Sequence, residues 1–170
     1  MTTYLVLTVI GDDKPGLVES LSKTIAANSG NWLESSMSQL AGKFAGILLV
    51  SVAGSNADKL IDELRGLAPA LKVVIERVEA EVHKDAQQTV TLDLIGNDRP
   101  GIIREISRAL AKHGINVEEL KTECVPAPMS GELLFKAHAV LRIPNELELG
   151  VLQAELERLA DDLIVEIQLE

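Results

Sequence analysis

The sequence predicts an α+β protein built from two tandem β-α-β-β-α-β units, each an antiparallel sheet with two helices on one face. Three observations predict it. A six-residue stretch is written twice, as Gly11-Asp12-Asp13-Lys14-Pro15-Gly16 and as Gly96-Asn97-Asp98-Arg99-Pro100-Gly101, 85 residues apart in a chain of 170. Each copy follows an apolar run with strand character and precedes apolar residues at helical spacing. An ungapped comparison of residues 5–32 with 90–117 gives nine identities, four of them inside the repeated stretch. Two copies of one split-βαβ module account for all three. The expected division is a first domain over 1–80, a polar linker over 81–87 and a second domain over 88–170.

The elements follow in order. Leu5 to Ile10 is rich in β-branched residues and ends at a glycine, as a strand does. Leu17, Val18, Leu21 and Ile25 then recur at intervals of three and four, one face of a helix. Pro15 is expected at the first helical position, where its missing N–H costs nothing. Trp32 to Leu40 and Phe44 to Val52, joined by Ala41-Gly42-Lys43, read as a hairpin. Ser55-Asn56-Ala57-Asp58 reads as a capped helix start, followed by the stripe Leu60, Ile61, Leu64 and Leu67. Pro69 stops that helix, and Leu71 to Val78 is the last strand of the first unit.

The second unit repeats this order. Val90, Leu92 and Leu94 alternate with Thr91 and Asp93, so one sheet face is expected to be wet. Ile102, Ile103, Ile106, Ala109 and Leu110 form the next helical face, which His113-Gly114 ends. Ile115 to Val125 and Leu133 to Ile143 are the paired strands. Asn145 to Glu148 is expected to cap a helix carrying Leu149, Leu152, Leu156 and Leu159, and Leu163 opens the final strand. The units differ in their hairpins: the second has a seven-residue connection, Val125-Pro126-Ala127-Pro128-Met129-Ser130-Gly131, stiffened by two prolines. It is either a tolerated surface insertion or a lid or partner contact. Pro126, Pro128, Met129 and Ser130 are its candidate contact residues.

Composition narrows the function. The chain is 46% hydrophobic and 25% charged with only 2% aromatic residues, so its core is aliphatic. The formal net charge is −10, and Lys and Arg form no run. Direct nucleic-acid binding therefore lacks both its electrostatic footprint and its stacking platforms. Cys124 is the single cysteine, which excludes an internal disulfide and a thiolate metal cluster. No apolar run approaches a membrane span, and no leader pattern opens the chain; a cytoplasmic protein is expected.

The repeated turn is the candidate binding site. A helix N-terminus offers unpaired N–H groups and a partial positive charge. Gly16 and Gly101 allow close backbone approach, and Asp13 and Asp98 set a carboxylate beside it. Such a turn can hold a zwitterion, the helix end taking its carboxylate and the aspartate its ammonium. Asp12, Pro15 and Leu17, with Asn97, Pro100 and Ile102, complete the two turns. Asn31 and Asn116, which open the next strand, are expected near them, with amides free to donate or accept. The competing reading is purely structural, since Pro, Gly and Asp serve any strand-to-helix turn. Catalytic constellations are missing: no His-Glu-x-x-His and no Gly-x-Ser-x-Gly occurs. His83 falls in the linker, His113 at a helix end and His138 on a strand. Cys124 reads as a small strand residue rather than a nucleophile. Asp161-Asp162 reads as a solvated turn, and Glu155 and Glu157 as a solvated helix face.

The doubled Gly-x-Asp-(Lys/Arg)-Pro-Gly, the helix after it and the Asn opening the second strand resemble the ACT domain, a ferredoxin-like small-molecule-sensing module. The resemblance covers nearly the whole chain as two tandem copies. Met37-Ser38 with Phe44-Ala45, and Ala127-Pro128-Met129-Ser130-Gly131-Glu132 with Leu134-Phe135, are similar to the glycine cleavage system transcriptional repressor family. That resemblance implies a non-enzymatic regulator without cofactors, responsive to glycine or another amino acid. It implies action on a LysR-type activator protein rather than on DNA, and a possible homodimer. Many amino-acid-binding ACT domains have Asn where this chain has Asp13 and Asp98; an aspartate favours an ammonium and repels a nearby carboxylate. A ligand-independent interaction module is the alternative.

Overall fold

A computed structural model describes residues 1–79 and 87–169. The linker expected over 81–87, and His83 with it, lies almost wholly outside the described residues. The chain divides into two compact units, Met1–His83 and Lys84–Glu170.

The first unit runs β1 (Thr2–Asp12), α1 (Leu17–Ala27), β2 (Asn31–Leu40), β3 (Lys43–Ala53), α2 (Gly54–Arg65) and β4 (Leu71–Val78). Its antiparallel sheet has the order β2-β3-β1-β4. The second unit runs β5 (Gln88–Asn97), α3 (Ile102–Lys112), β6 (Asn116–Pro126), β7 (Leu133–Ile143), α4 (Leu149–Glu157) and β8 (Ile164–Leu169), with the order β6-β7-β5-β8. These are the two β-α-β-β-α-β sandwiches that the repeat predicts.

Strand alternation separates the faces. Leu5, Leu7 and Val9 are wholly buried on β1, opposite Val50, Leu48 and Gly46 of β3. They meet Leu21 and Ile25 of α1 and Leu60 and Leu64 of α2 in one aliphatic core. In the second unit Val90, Leu92 and Leu94 meet Ile106 and Leu110 of α3 and Leu152 and Leu156 of α4. Each fully buried Leu or Ile side chain contributes about 1.5–3 kcal/mol relative to exposure. A β-bulge recurs in both units, between Trp32 and Glu34 and between Val117 and Glu119. The bulged strand carries one extra residue there, and on its core side Trp32 packs against the first core.

Three helix starts differ from expectation. Pro15 does not take the first helical position: Gly16 is the N-cap of α1, in the left-handed region at φ 94°, and the helix begins at Leu17. Pro100 precedes Gly101 in the same way, with φ 89°. The helix starts two residues later than a proline-first helix would, because the glycine ahead of it is held in the left-handed region, outside the helical conformation. Ser55 is not a cap either, since α2 already begins at Gly54 after extended Ala53. Nor does α4 begin at an Asn cap: it starts at Leu149 after extended Glu148, with no side-chain cap hydrogen bond. No described helix is long and apolar enough to cross a membrane.

Candidate functional site

The two turns share a backbone plan. Strand β1 runs through Gly11 and Asp12, and the Asp13 N–H donates to Gly42 O at 2.9 Å. Gly16 O then accepts from Ser20 N at 2.9 Å, the first closed bond of α1. In the second unit Asp98 N donates to Leu133 O at 2.8 Å, and Glu105 N to Gly101 O at 3.1 Å. Each turn is thus tied to the neighbouring hairpin and released at its glycine. A Cβ on either Gly16 or Gly101 would meet nothing within 4 Å. Their left-handed φ, and not crowding, is what calls for glycine. Neither helix has a side-chain cap, and in α3 the Ile102 N–H donates to Arg99 O at 3.3 Å. Leu17 and Ile102 point into the cores, 6% and 5% exposed, and anchor the turns.

The side chains around the turns differ. In the first unit Asp12 pairs with Lys43 across the strands, and that hydrogen bond and charge hold the Asp12 carboxyl below the usual carboxylate range. Asp13, Lys14, Pro15 and Gly16 are exposed, and Asp13 forms no ion pair among the described residues. The second turn is clamped. Arg99 grips Glu105 through two bonds, Nη1 to Oε1 at 2.9 Å and Nη2 to Oε2 at 2.5 Å, and also reaches Leu159 O at 3.3 Å. The hydrogen bond raises the Arg99 pKa and lowers that of Glu105. Asn97 N donates to Asp162 Oδ2 at 2.6 Å. The Cys124 thiol is pushed up in pKa by burial, and then by the charge and hydrogen bond of Asp98, which disfavours the thiolate a nucleophile needs.

Asn31 and Asn116 are not near the turns. Asn31 sits opposite Ser51, which pairs with Tyr4 near the start of β1, whereas Asp12 pairs with Lys43 at its other end. The eight residues from Tyr4 to Asp12 span about 27 Å of strand. Asn116, opposite Arg142 and thus level with Thr89, is equally far from Asn97, which pairs with Leu134. The reason is the crossover: α1 carries the chain back over the sheet, so β2 begins at the end where β1 begins. The residues brought beside each turn are those of the β2–β3 or β6–β7 connection.

That connection in the second unit is a tight hairpin in which Ala127 N donates to Glu132 O at 2.7 Å. Met129 stands at its tip, fully exposed and at φ 79°. Pro126, Pro128 and Ser130 are exposed beside it, and Ser130 Oγ accepts from Glu132 N at 3.4 Å.

Several contacts lay beyond the sequence reading. Arg99 and Glu105 replace Lys14 and Ser20 of the first unit, so opposite charges flanking one turn and missing from its copy were the available signal. Asp162, read as solvated, closes the second turn instead. Glu155, also read as solvated, has a side chain only 23% exposed and joins α4 to His113 and Lys112 of α3. Among the described residues no group of three or more His, Cys, Asp or Glu side chains is gathered to hold a metal.

Comparison with known proteins bears on these units directly. Residues 3–78 and 90–161 each match an ACT domain model. The glycine cleavage system transcriptional repressors of Escherichia coli (strain K12) and Shigella flexneri are each 30% identical over 128 residues, 73% of this chain. The match spans 66% of each relative's own length. A crystal structure of a Galdieria sulphuraria protein of unknown function aligns over 100% of this chain and 99% of its own, at 28% identity and a TM-score of 0.88. A structure provisionally assigned as a glycine cleavage system transcriptional repressor aligns over 100% and 98%, at 20% identity and a TM-score of 0.73, which speaks to the fold. The chain belongs to the ACT-domain family and carries two ACT domains in tandem.

Proposed function

We propose that this chain is an amino-acid-responsive regulator, a glycine cleavage system transcriptional repressor that works through a protein partner rather than on DNA. The likeness to the repressors of Escherichia coli and Shigella flexneri supports the pathway, and the acidic surface, net −10, supports an indirect mode. The partner is a LysR-type activator, the compartment the cytoplasm, and the working form a homodimer. The observation that carries the sensing site is the state of the first turn. Its helix has no side-chain cap, and Asp13 beside it forms no ion pair among the described residues, whereas the second turn is clamped by Arg99 on Glu105 and by Asp162 on Asn97 N. Glycine sits at the first turn with its carboxylate on the α1 amides and its ammonium on Asp13; Asp12, Pro15, Gly16 and Leu17 shape that turn. The second turn, with Asn97, Asp98, Pro100, Gly101 and Ile102, is the weaker copy. Asn31 and Asn116 belong to neither.

Isothermal titration of the full chain with glycine and a small amino-acid panel tests this. Asp13→Ala should weaken glycine binding about ten- to a hundredfold, the worth of one charge-assisted hydrogen bond, and Asp98→Ala should leave it nearly unchanged. No heat with any amino acid, in a folded sample, rejects the sensing role. The second reading, a ligand-independent interaction module, draws on the exposed Met129 tip. Capture of the activator that is equal with and without glycine would favour it.

A further inference from the structure

The second unit has an open seam that the first unit closes. Between α3 and the edge strand β6 a narrow apolar groove runs along the helix side of the sheet. Ile103, Ile106 and Leu110 line it from the helix, and Val117 and Leu120 from the strand. Its free space is about 20 Å³, room for the tip of an aliphatic side chain and not for a free small molecule. Val117 and Leu120 lie opposite the buried Leu141 and Ala139, which sets both on the core side, yet they are 39% and 50% exposed. In the first unit the strand positions opposite Val50 and Gly46 hold Trp32 and Met37, and both pack against that core. The same places in the second unit hold the shorter Val117 and Thr122, and Leu120 stands where the first unit has Ser35.

The helix beside the groove is basic on its solvent side. Arg104 and Arg108 are exposed and one turn apart, about 6 Å along the axis. Neither forms an ion pair or a hydrogen bond among the described residues. Lys112 continues the row and is held by Glu155 of α4 at 2.9 Å. The first unit has Glu19, Lys23 and Ala27 at these places, so the row belongs to the second unit alone. In a chain of net charge −10 two free arginines act locally, because beyond a Debye length of about 8–10 Å the acidic surface is what a partner meets first. A long polyanion is repelled by that surface. A second copy docked through the same face would set arginine against arginine. A short segment with its own acidic residues meets neither obstacle.

We propose that this groove is a docking surface for an acidic amphipathic helix of a protein partner. The partner's aliphatic side chains lie along Val117, Leu120 and Ile103, with one seated in the groove. Its carboxylates, one turn apart, reach Arg104 and Arg108. The groove follows α3 from Ile103 to Leu110, about 10 Å, and two turns of helix match that length. Buried apolar contact supplies the affinity, and the arginines set the sign and the orientation. The proposal rests on the reading of the chain as acting through a protein partner and gives that partner a chemistry. It uses neither turn, and it places the contact away from the Met129 hairpin.

The probe is a blocked peptide of three Glu-Leu-Leu-Glu repeats, titrated into the full chain with labelled isoleucine methyls. The Ile103 and Ile106 signals should shift saturably, while Ile95 and Ile164, paired on the other face of the sheet, stay in place. The same peptide with lysine for glutamate should bind at least about tenfold more weakly. Arg104→Glu combined with Arg108→Glu should reverse that order. Leu120→Ser, at an exposed position, should weaken the glutamate peptide about tenfold. The proposal is overturned if the glutamate peptide gives no saturable shift at Ile103 and Ile106, if the lysine peptide matches it, or if a short DNA duplex gives the same shift. Equal capture of the activator by the parent and by the doubly reversed chain would reject the groove and leave the partner reading standing. A peptide shift as expected, with no capture of the activator by the parent, would reject the partner reading and leave the groove as a helix-docking surface.

Discussion

Asn28, at the end of α1, donates from Nδ2 to Glu63 Oε2 of α2 at 2.6 Å and to Thr24 O at 3.0 Å, with only 3% of its surface exposed. Its main-chain oxygen accepts from Asn56 Nδ2 at 3.3 Å. One polar residue thus locks the two helices of the first unit together. The second unit keeps the lock and changes its chemistry: His113, 85 residues on, engages Glu155 of α4.

Asn28→Ala removes a hydrogen bond to a charged acceptor and leaves a small void. It should destabilise the first unit by about 1.5–3 kcal/mol. Asn28→Asp should cost more, since it sets a second carboxylate against Glu63. Urea unfolding of the full chain, followed through Trp32 in the first core, reads both.

The lock in the second unit responds to pH. Hydrogen bonds from His113 and then Lys112, with their charges, hold the Glu155 carboxyl below the usual carboxylate range. A carboxyl depressed on folding adds stability above its unfolded pKa and loses it as pH falls through the folded value. The parent should therefore exceed Glu155→Gln in stability near neutrality, and the gap should close on acidification below the usual carboxylate range. Denaturant midpoints for both chains across that window check the sign.

Two glycines separate backbone strain from crowding. Gly16→Ala meets open space but keeps φ 94°, so only the left-handed conformation is penalised, by about 1–2 kcal/mol. Gly46→Ala would place a Cβ 2.5 Å from Ser36 O and from Met37 Cγ. The β2–β3 pair must then shift, and overpacking of this kind costs about 1–3 kcal/mol or more. Unfolding midpoints should fall for both variants, and amide exchange along β2 should quicken only for Gly46→Ala.

Met129 tests the second reading. It is fully exposed at the tip of its hairpin, so Met129→Ser should leave the unfolding midpoint within about 0.5 kcal/mol of the parent. If the tip touches the activator, capture of that protein should fall with no change in fold by circular dichroism.

Much of the fold was legible in the sequence. The 85-residue repeat named two copies of one module, and the bounds of β4 and β7 were readable to the residue, because apolar runs ended by turn residues report local conformation directly. Helix starts were less legible. Ser55 and Asn145 have the composition of caps, yet α2 and α4 begin at Gly54 and Leu149, after extended Ala53 and Glu148.

By itself the sequence determined which residues make the repeated turn, that the core is aliphatic and that the chain has no basic run. These depend on composition and short-range spacing. The tertiary structure decided which residues share a place. It moved Asn31 and Asn116 to the far end of the sheet, brought Asp162 to Asn97, and lined up Lys121, His138, Asp93 and Glu166 across four strands. Strand order and register create such neighbours between residues far apart in the chain, and no local pattern encodes them.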